Sequence, residues 1–163
     1  MKTRTTYVVG GVRIPFMKSM TAYRDVTTPE LMTASLKSLV ERYNLKGKVV
    51  GDVALGALMQ SSANWNFARE VVQASGLHPN TPAYNVQRAC GTSLETTIQI
   101  AHKISSYQIE SGIAGGVDSN SDLPIMVTRS FSQKLVALNS ARTLGEKVKI
   151  ILGIKPSDLK PVL

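Results

Sequence analysis

Residues 84–118, YNVQRACGTSLETTIQIAHKISSYQIESGIAGGVD, contain Cys90, the single cysteine among 163 residues. An extended run ends near Gln87, and helical periodicity starts near Gly91, so the thiol is expected at the mouth of a helix. The N-terminal partial positive charge and orphan N–H groups concentrate there. That field favours thiolate over thiol and makes the sulfur a nucleophile near neutral pH. The chemistry this implies is acyl transfer through a cysteine. The alternative is a small buried filler, the common fate of a lone cysteine.

Acyl transfer also needs a general base and an oxyanion hole. The amide of Cys90 is a candidate oxyanion donor. His102 falls twelve residues along the same helix, roughly 18 Å away at 1.5 Å per residue, beyond reach of the sulfur. His78, before Pro79, lies in a loop that spacing does not constrain. A catalytic set drawn from these residues alone is incomplete. Gly115-Gly116 reads as a packing feature, and Asp118 and Asp122 lack the spacing of a calcium loop. No phosphate-cradling glycine loop is present, and one cysteine with two histidines makes no local zinc pattern. The cofactor-binding residues are left unassigned, with no metal expected.

The surrounding elements read as alternating strands and helices. Strands are expected at 5–14, 49–58, 82–87 and 113–117, from β-branched and apolar runs. Helices are expected from Thr28-Pro29-Glu30 to Asn44, from Asn66 to Ser75 with Gly76 as stop, and from Gly91 onward. Phe67 and Trp65 read as packing residues of the second, and Leu94, Ile98, Ala101 and Ile104 as the apolar stripe of the third. Such alternation predicts an α/β fold with a mostly parallel sheet and helices on both faces. Ligands gather at the carboxyl ends of such strands, where Cys90 falls. Residues 1–122 form this expected core. Beyond it, 123–163 reads as a basic helical extension with amphipathic helices at 128–140 and 142–152, lined by Phe131, Leu135 and Leu138 and by Leu144, Val148 and Ile151.

The net charge of +8 is concentrated there: seven cations stand against Glu146 and Asp158 between Arg129 and Lys160. Such a segment suits acidic lipid, a phosphate-bearing ligand or plain solvent; without basic–aromatic alternation, nucleic acid is not expected. No apolar run approaches the roughly 18 residues of a membrane span. MKTRT leads at once into an expected strand, which leaves no room for a signal peptide, and one cysteine suits a reducing compartment. The expectation is a soluble, cytoplasmic domain.

Three stretches carry a family resemblance. VRIPF at 12–16, NVQRACGTSLETTIQIA at 85–101 and IAGGVDSNSDLP at 113–124 resemble, in order, the opening strand, nucleophile motif and glycine-rich element of the thiolases. RACGTS followed by AGGVDSNSDLP is most similar to 3-ketoacyl-CoA thiolases of fatty-acid β-oxidation. The resemblance implies the N-terminal half of a layered thiolase fold. It implies that Cys90 attacks a 3-ketoacyl-CoA, releases acetyl-CoA and holds the shortened acyl chain until a second coenzyme A collects it. Coenzyme A is then a substrate, not a resident cofactor. It also implies a homo-oligomer, a partner subunit of a β-oxidation complex, and membrane or subunit contact through 128–152. Thiolases carry a second cysteine, a G-H-P histidine and an N-E-[AH] stretch in their other half; none occurs here, so the chain is expected to be inactive alone. Ketoacyl synthases share the cysteine-at-helix outline, and a non-catalytic assembly fragment is the other alternative.

Overall fold

The structure, a computed structural model, describes residues 3–162. The chain divides at Leu123/Pro124 into two compact units.

The first unit is built on three parallel strands, β1 (Asp52–Gly56), β2 (Ala83–Val86) and β3 (Gly112–Gly116), in the order β2-β1-β3. Central β1 is fully buried, as a strand covered on both faces must be, and its sequence DVALG has no outward polar alternation. Helices α1 (Thr28–Arg42) and α2 (Phe67–Ser75) cover one face, where Met32, Leu36, Val40, Phe67, Val71 and Val72 enclose Val53 and Leu55. Helix α3 (Thr92–Ser105) covers the other, with Ile100 packed on Ala54 and Val86.

Local chemistry accounts for the ends of these elements. Thr27 caps α1 in a reciprocal box with Glu30, and Pro29 sits in the first turn, where its missing N–H costs nothing. Asn66 caps α2 by accepting from Arg69 N–H, and Gly76 ends it at φ 90°, a conformation that a side chain disfavours. The fold class expected from the sequence is therefore present, with helices on both faces of a parallel sheet.

Four expectations are corrected. Residues 5–14 form no strand: Tyr7, Val8 and Val9 are 79–85% exposed. A β-branched run fits a sheet only where an edge is in register to receive it. Here the segment is tied sideways instead, through side chains: the preceding Arg4 donates to the carbonyls of Ile104 and Ile109, and the Thr6 hydroxyl to that of Ala101. Trp65 precedes α2 and is exposed, whereas Phe67 is buried.

The stripe of α3 is rotated from the expected one. Its buried residues are Thr92, Thr96 and Ile100, while Leu94 and Ile98 are 65% and 40% exposed. The reason lies in β3, which presents Gly112, Ala114 and Gly116 toward α3. A Cβ on Gly112 would come within 2.7 Å of Ile100, and one on Gly116 within 2.8 Å of Ser93. Small strand residues draw the helix in close, and compact β-branched side chains fill the gap better than leucine would.

The second unit contains β4 (Met126–Val127) and β5 (Pro161–Val162), paired antiparallel, with α4 (Arg129–Ser140) and α5 (Leu144–Leu152). Both helices fall where periodicity places them, but their packing faces differ. Phe131, Lys134, Leu138 and Ile150 are the half-buried positions; Leu135, Leu144, Val148 and Ile151 face solvent. Lys134 and Asp158 form an ion pair, and Asp158 also accepts from Lys155 N–H at 2.8 Å. These contacts drop the Asp158 carboxyl to about 2, with the Lys134 hydrogen bond first among the causes.

Candidate active site

Cys90 stands at the carboxyl end of β2, on the turn that enters α3. The turn is tight. Gly91 N–H donates to the Arg88 carbonyl at 3.0 Å, and Thr92 N–H to that of Ala89 at 3.2 Å. To make it, Ala89 adopts φ 45°, a left-handed conformation that costs a residue with a Cβ about 1–2 kcal/mol. The result is a strand–turn–helix elbow that turns the thiol outward, and Cys90 is exposed. Gly91 is the helix N-cap and supplies no side-chain cap; its own N–H and that of Thr92 are bonded within the turn. A buried filler is thus not what Cys90 is.

The rest of the carboxyl edge is braced around this elbow. Asp118, just beyond β3, accepts from the N–H groups of Leu58 at 2.7 Å and Met59 at 3.3 Å. Gln87 donates to the Leu58 carbonyl at 2.6 Å, linking the loops after β1 and β2. Asp122 accepts from Thr28 N–H at 2.6 Å and so anchors the start of α1. The sequence reading set both aspartates aside as loop residues. The signal for Asp118 was its position just past the strand end, where loop N–H groups need an acceptor. Gly115 and Gly116 are packing residues, as expected: a Cβ on Gly115 would meet Met32 at 2.6 Å.

Neither histidine approaches the sulfur, and topology explains why. His78 N–H donates to the Lys48 carbonyl and its ring accepts from Asn80 N–H, in a loop that leads into β2. His102 sits in the last turns of α3, beside Lys103, whose ammonium pairs with Asp52 at the start of β1. Both therefore lie at the amino edge of the parallel strands, opposite Cys90. The Lys103 ammonium also lies 4.3 Å from the centre of the Tyr84 ring. Its hydrogen bond to Asp52 is the leading cause that raises the Lys103 pKa; burial is the leading cause that raises that of Tyr84. This cluster is a structural tie between α3 and the sheet.

A cleft of about 600 Å³ runs between residues 12–19, α1 and β3, and reaches Ser93 in the first turn of α3. Among the described residues, no cluster of three or more His, Cys, Asp or Glu side chains is placed to hold a metal ion. None of the described helices is long and apolar enough to cross a membrane. Among the described residues, the arrangement offers one accessible sulfur at a helix entrance, with both histidines at the opposite edge of the sheet.

Comparison with known proteins meets this geometry. The family described as "Thiolase, N-terminal domain" matches residues 6–149. The chain is 40% identical over 154 residues to a 3-ketoacyl-CoA thiolase of Pectobacterium carotovorum, covering 94% of this chain and 35% of that protein. It is 43% identical over 157 residues to a 3-ketoacyl-CoA thiolase of Shewanella amazonensis, covering 95% and 36%. In three dimensions it is similar to the crystal structure of the Bacillus anthracis acetyl-CoA acetyltransferase, with a TM-score of 0.63 and 28% identity. That likeness covers 68% of this chain and 28% of the other. The chain thus spans about a third of the length of these relatives.

Proposed function

The chain belongs to the thiolase family, and on that premise we propose that Cys90 is the nucleophile of an acyl transfer between 3-ketoacyl-CoA and coenzyme A. The observation that carries this reading is the exposed sulfur at the entrance of α3, at the carboxyl end of β2. Cys90 thiolate attacks the 3-keto carbon and forms a C–S bond. The bond from that carbon to C2 then breaks, its electron pair leaves as the enolate of acetyl-CoA, and a proton donor quenches it. Cys90 retains the shortened chain as a thioester until the thiol of a second coenzyme A displaces it. On this reading the amide of Cys90 itself is the candidate donor to an oxyanion formed at the attacked carbon, since the N–H groups of Arg88, Gly91 and Thr92 are bonded within the turn.

The proton donor and acceptor are assigned to polypeptide outside this chain, since His78 and His102 face the opposite edge. The isolated chain accordingly accepts an acyl group without turning over. Coenzyme A is substrate on this reading, which calls for no resident cofactor or metal. Exposed Leu94 and Ile98 on α3 support a partner surface here, consistent with an oligomer or a β-oxidation complex. A cytoplasmic site of action suits the single free thiol.

Substrate protection tests this. Pre-incubation with acetyl-CoA should block iodoacetamide labelling at Cys90, and hydroxylamine, which cleaves a thioester, should restore it. Labelling that proceeds at the same rate with and without acetyl-CoA contradicts the reading.

A further inference from the structure

Thr92 stands two residues past the cysteine and differs from it in every respect: it is 3% exposed, and its hydroxyl is used twice. Thr92 Oγ1 accepts from Arg88 N–H at 2.9 Å and donates to the Ala89 carbonyl at 2.8 Å. The first contact reaches the strand side of the elbow, and the second reaches the residue held at φ 45°. One hydroxyl therefore closes the loop that carries Cys90 from both ends. Its methyl is fixed as well. Gly56, at the end of β1, leaves the space that Thr92 Cγ2 occupies; a Cβ there would lie 2.5 Å from it. The side chain is thus gripped by the central strand on one side and bonded to the turn on the other.

We propose that Thr92 is a positioning residue for Cys90, transmitting the rigidity of β1 to the thiol and holding the sulfur over the N-terminal turn of α3. The idea rests on Cys90 being the nucleophile and adds what keeps it aimed. A strained, left-handed alanine persists only where its surroundings over-determine it. The Thr92 hydroxyl is the side-chain contact that does so, adding to the Thr92 N–H a second and shorter bond to the Ala89 carbonyl. Loss of the hydroxyl takes the side-chain partner from the Arg88 N–H, leaves the Ala89 carbonyl with the Thr92 N–H alone, and frees the turn to relax. The methyl alone cannot replace it.

The test is the second-order rate of iodoacetamide alkylation of Cys90 in the full 163-residue chain, measured in Thr92→Val and Thr92→Ser. Circular dichroism and thermal melting restrict the comparison to conditions where each variant is folded. Thr92→Val keeps the shape and loses the hydroxyl; it should slow alkylation roughly tenfold, in line with the sensitivity of reactions to small displacements. Thr92→Ser keeps the hydroxyl and should stay within about twofold of the parent chain, even if its melting point falls through the lost methyl. Valine alkylating at the parental rate while melting lower, or serine failing as badly as valine, overturns the proposal. A parent chain that reacts no faster than free cysteine would instead refute the nucleophile reading itself.

Discussion

Single residues around the cysteine do their work through backbone groups. Asp118 illustrates this, because both its recorded contacts go to loop N–H groups after β1. Its replacement by alanine strands two donors, and we expect a loss of about 1–3 kcal/mol in urea denaturation, with Asp118→Asn recovering part of it. A value indistinguishable from the parent chain would remove Asp118 from the bracing of the carboxyl edge. The placement of Cys90 at a helix entrance was legible from the sequence because a strand, a short turn with a cysteine and a glycine, and a helix follow one another closely. Asp118 and Thr92 were not, since their partners are backbone atoms of residues brought near only by the fold. His78 and His102 could be set aside more firmly once the sheet was seen to be parallel. That topology sends the loop before β2 and the end of α3 to the same far edge.

At the scale of elements, α3 is where pattern and packing part company. Its apolar residues suggest an inward stripe at 94, 98, 101 and 104; Ala101 is half-buried and Ile104 packs on the core, but glycine and alanine on β3 select Thr92, Thr96 and Ile100 in place of Leu94 and Ile98. Helical periodicity is visible along one chain, but the face that turns inward depends on the surface it meets. The two faces predict different mutational costs. Ile100→Ala should destabilise by about 2–5 kcal/mol, and Leu94→Ser or Ile98→Ser by no more than about 0.5 kcal/mol. Chemical denaturation of the three variants decides it, and a Leu94→Ser cost that matches Ile100→Ala contradicts the packing described. The same logic covers residues 5–14, whose composition is that of a strand but which are held to α3 by the Thr6 hydroxyl and by the side chain of the preceding Arg4. Helices α1 and α2 were legible almost to the residue, because Thr27, Pro29, Asn66 and Gly76 are local signals that need no partner.

For the whole molecule, charge and exposed apolar surface set the behaviour in solution. The second unit has a built-in acid sensitivity. Asp158 has its carboxyl lowered to about 2 by Lys134, Lys155 N–H and Ser130. A lowered carboxyl stabilises the fold above its ordinary unfolded value, near 4, and that stabilisation is lost as pH falls from there toward 2. Amide protection in α4 and α5, taken relative to the intrinsic exchange rate at each pH, should therefore fall through that window, and Asp158→Asn should abolish that fall while lowering protection at neutral pH. An identical acid profile in the variant would show that the Lys134–Asp158 pair does not set it. The exposed side chains of Leu94, Leu144 and Leu152 predict self-association at micromolar concentration, measurable by light scattering; a clean monomer contradicts that.

The central claim is that Cys90 carries the acyl group, and it is tested most directly by peptide mass mapping of the chain after brief incubation with acetyl-CoA at neutral pH. The account predicts a single acetyl adduct on the peptide containing Cys90, labile to hydroxylamine as a thioester is, and absent in Cys90→Ser. An unmodified Cys90 peptide, or an adduct that survives hydroxylamine or lies elsewhere in the chain, would contradict it.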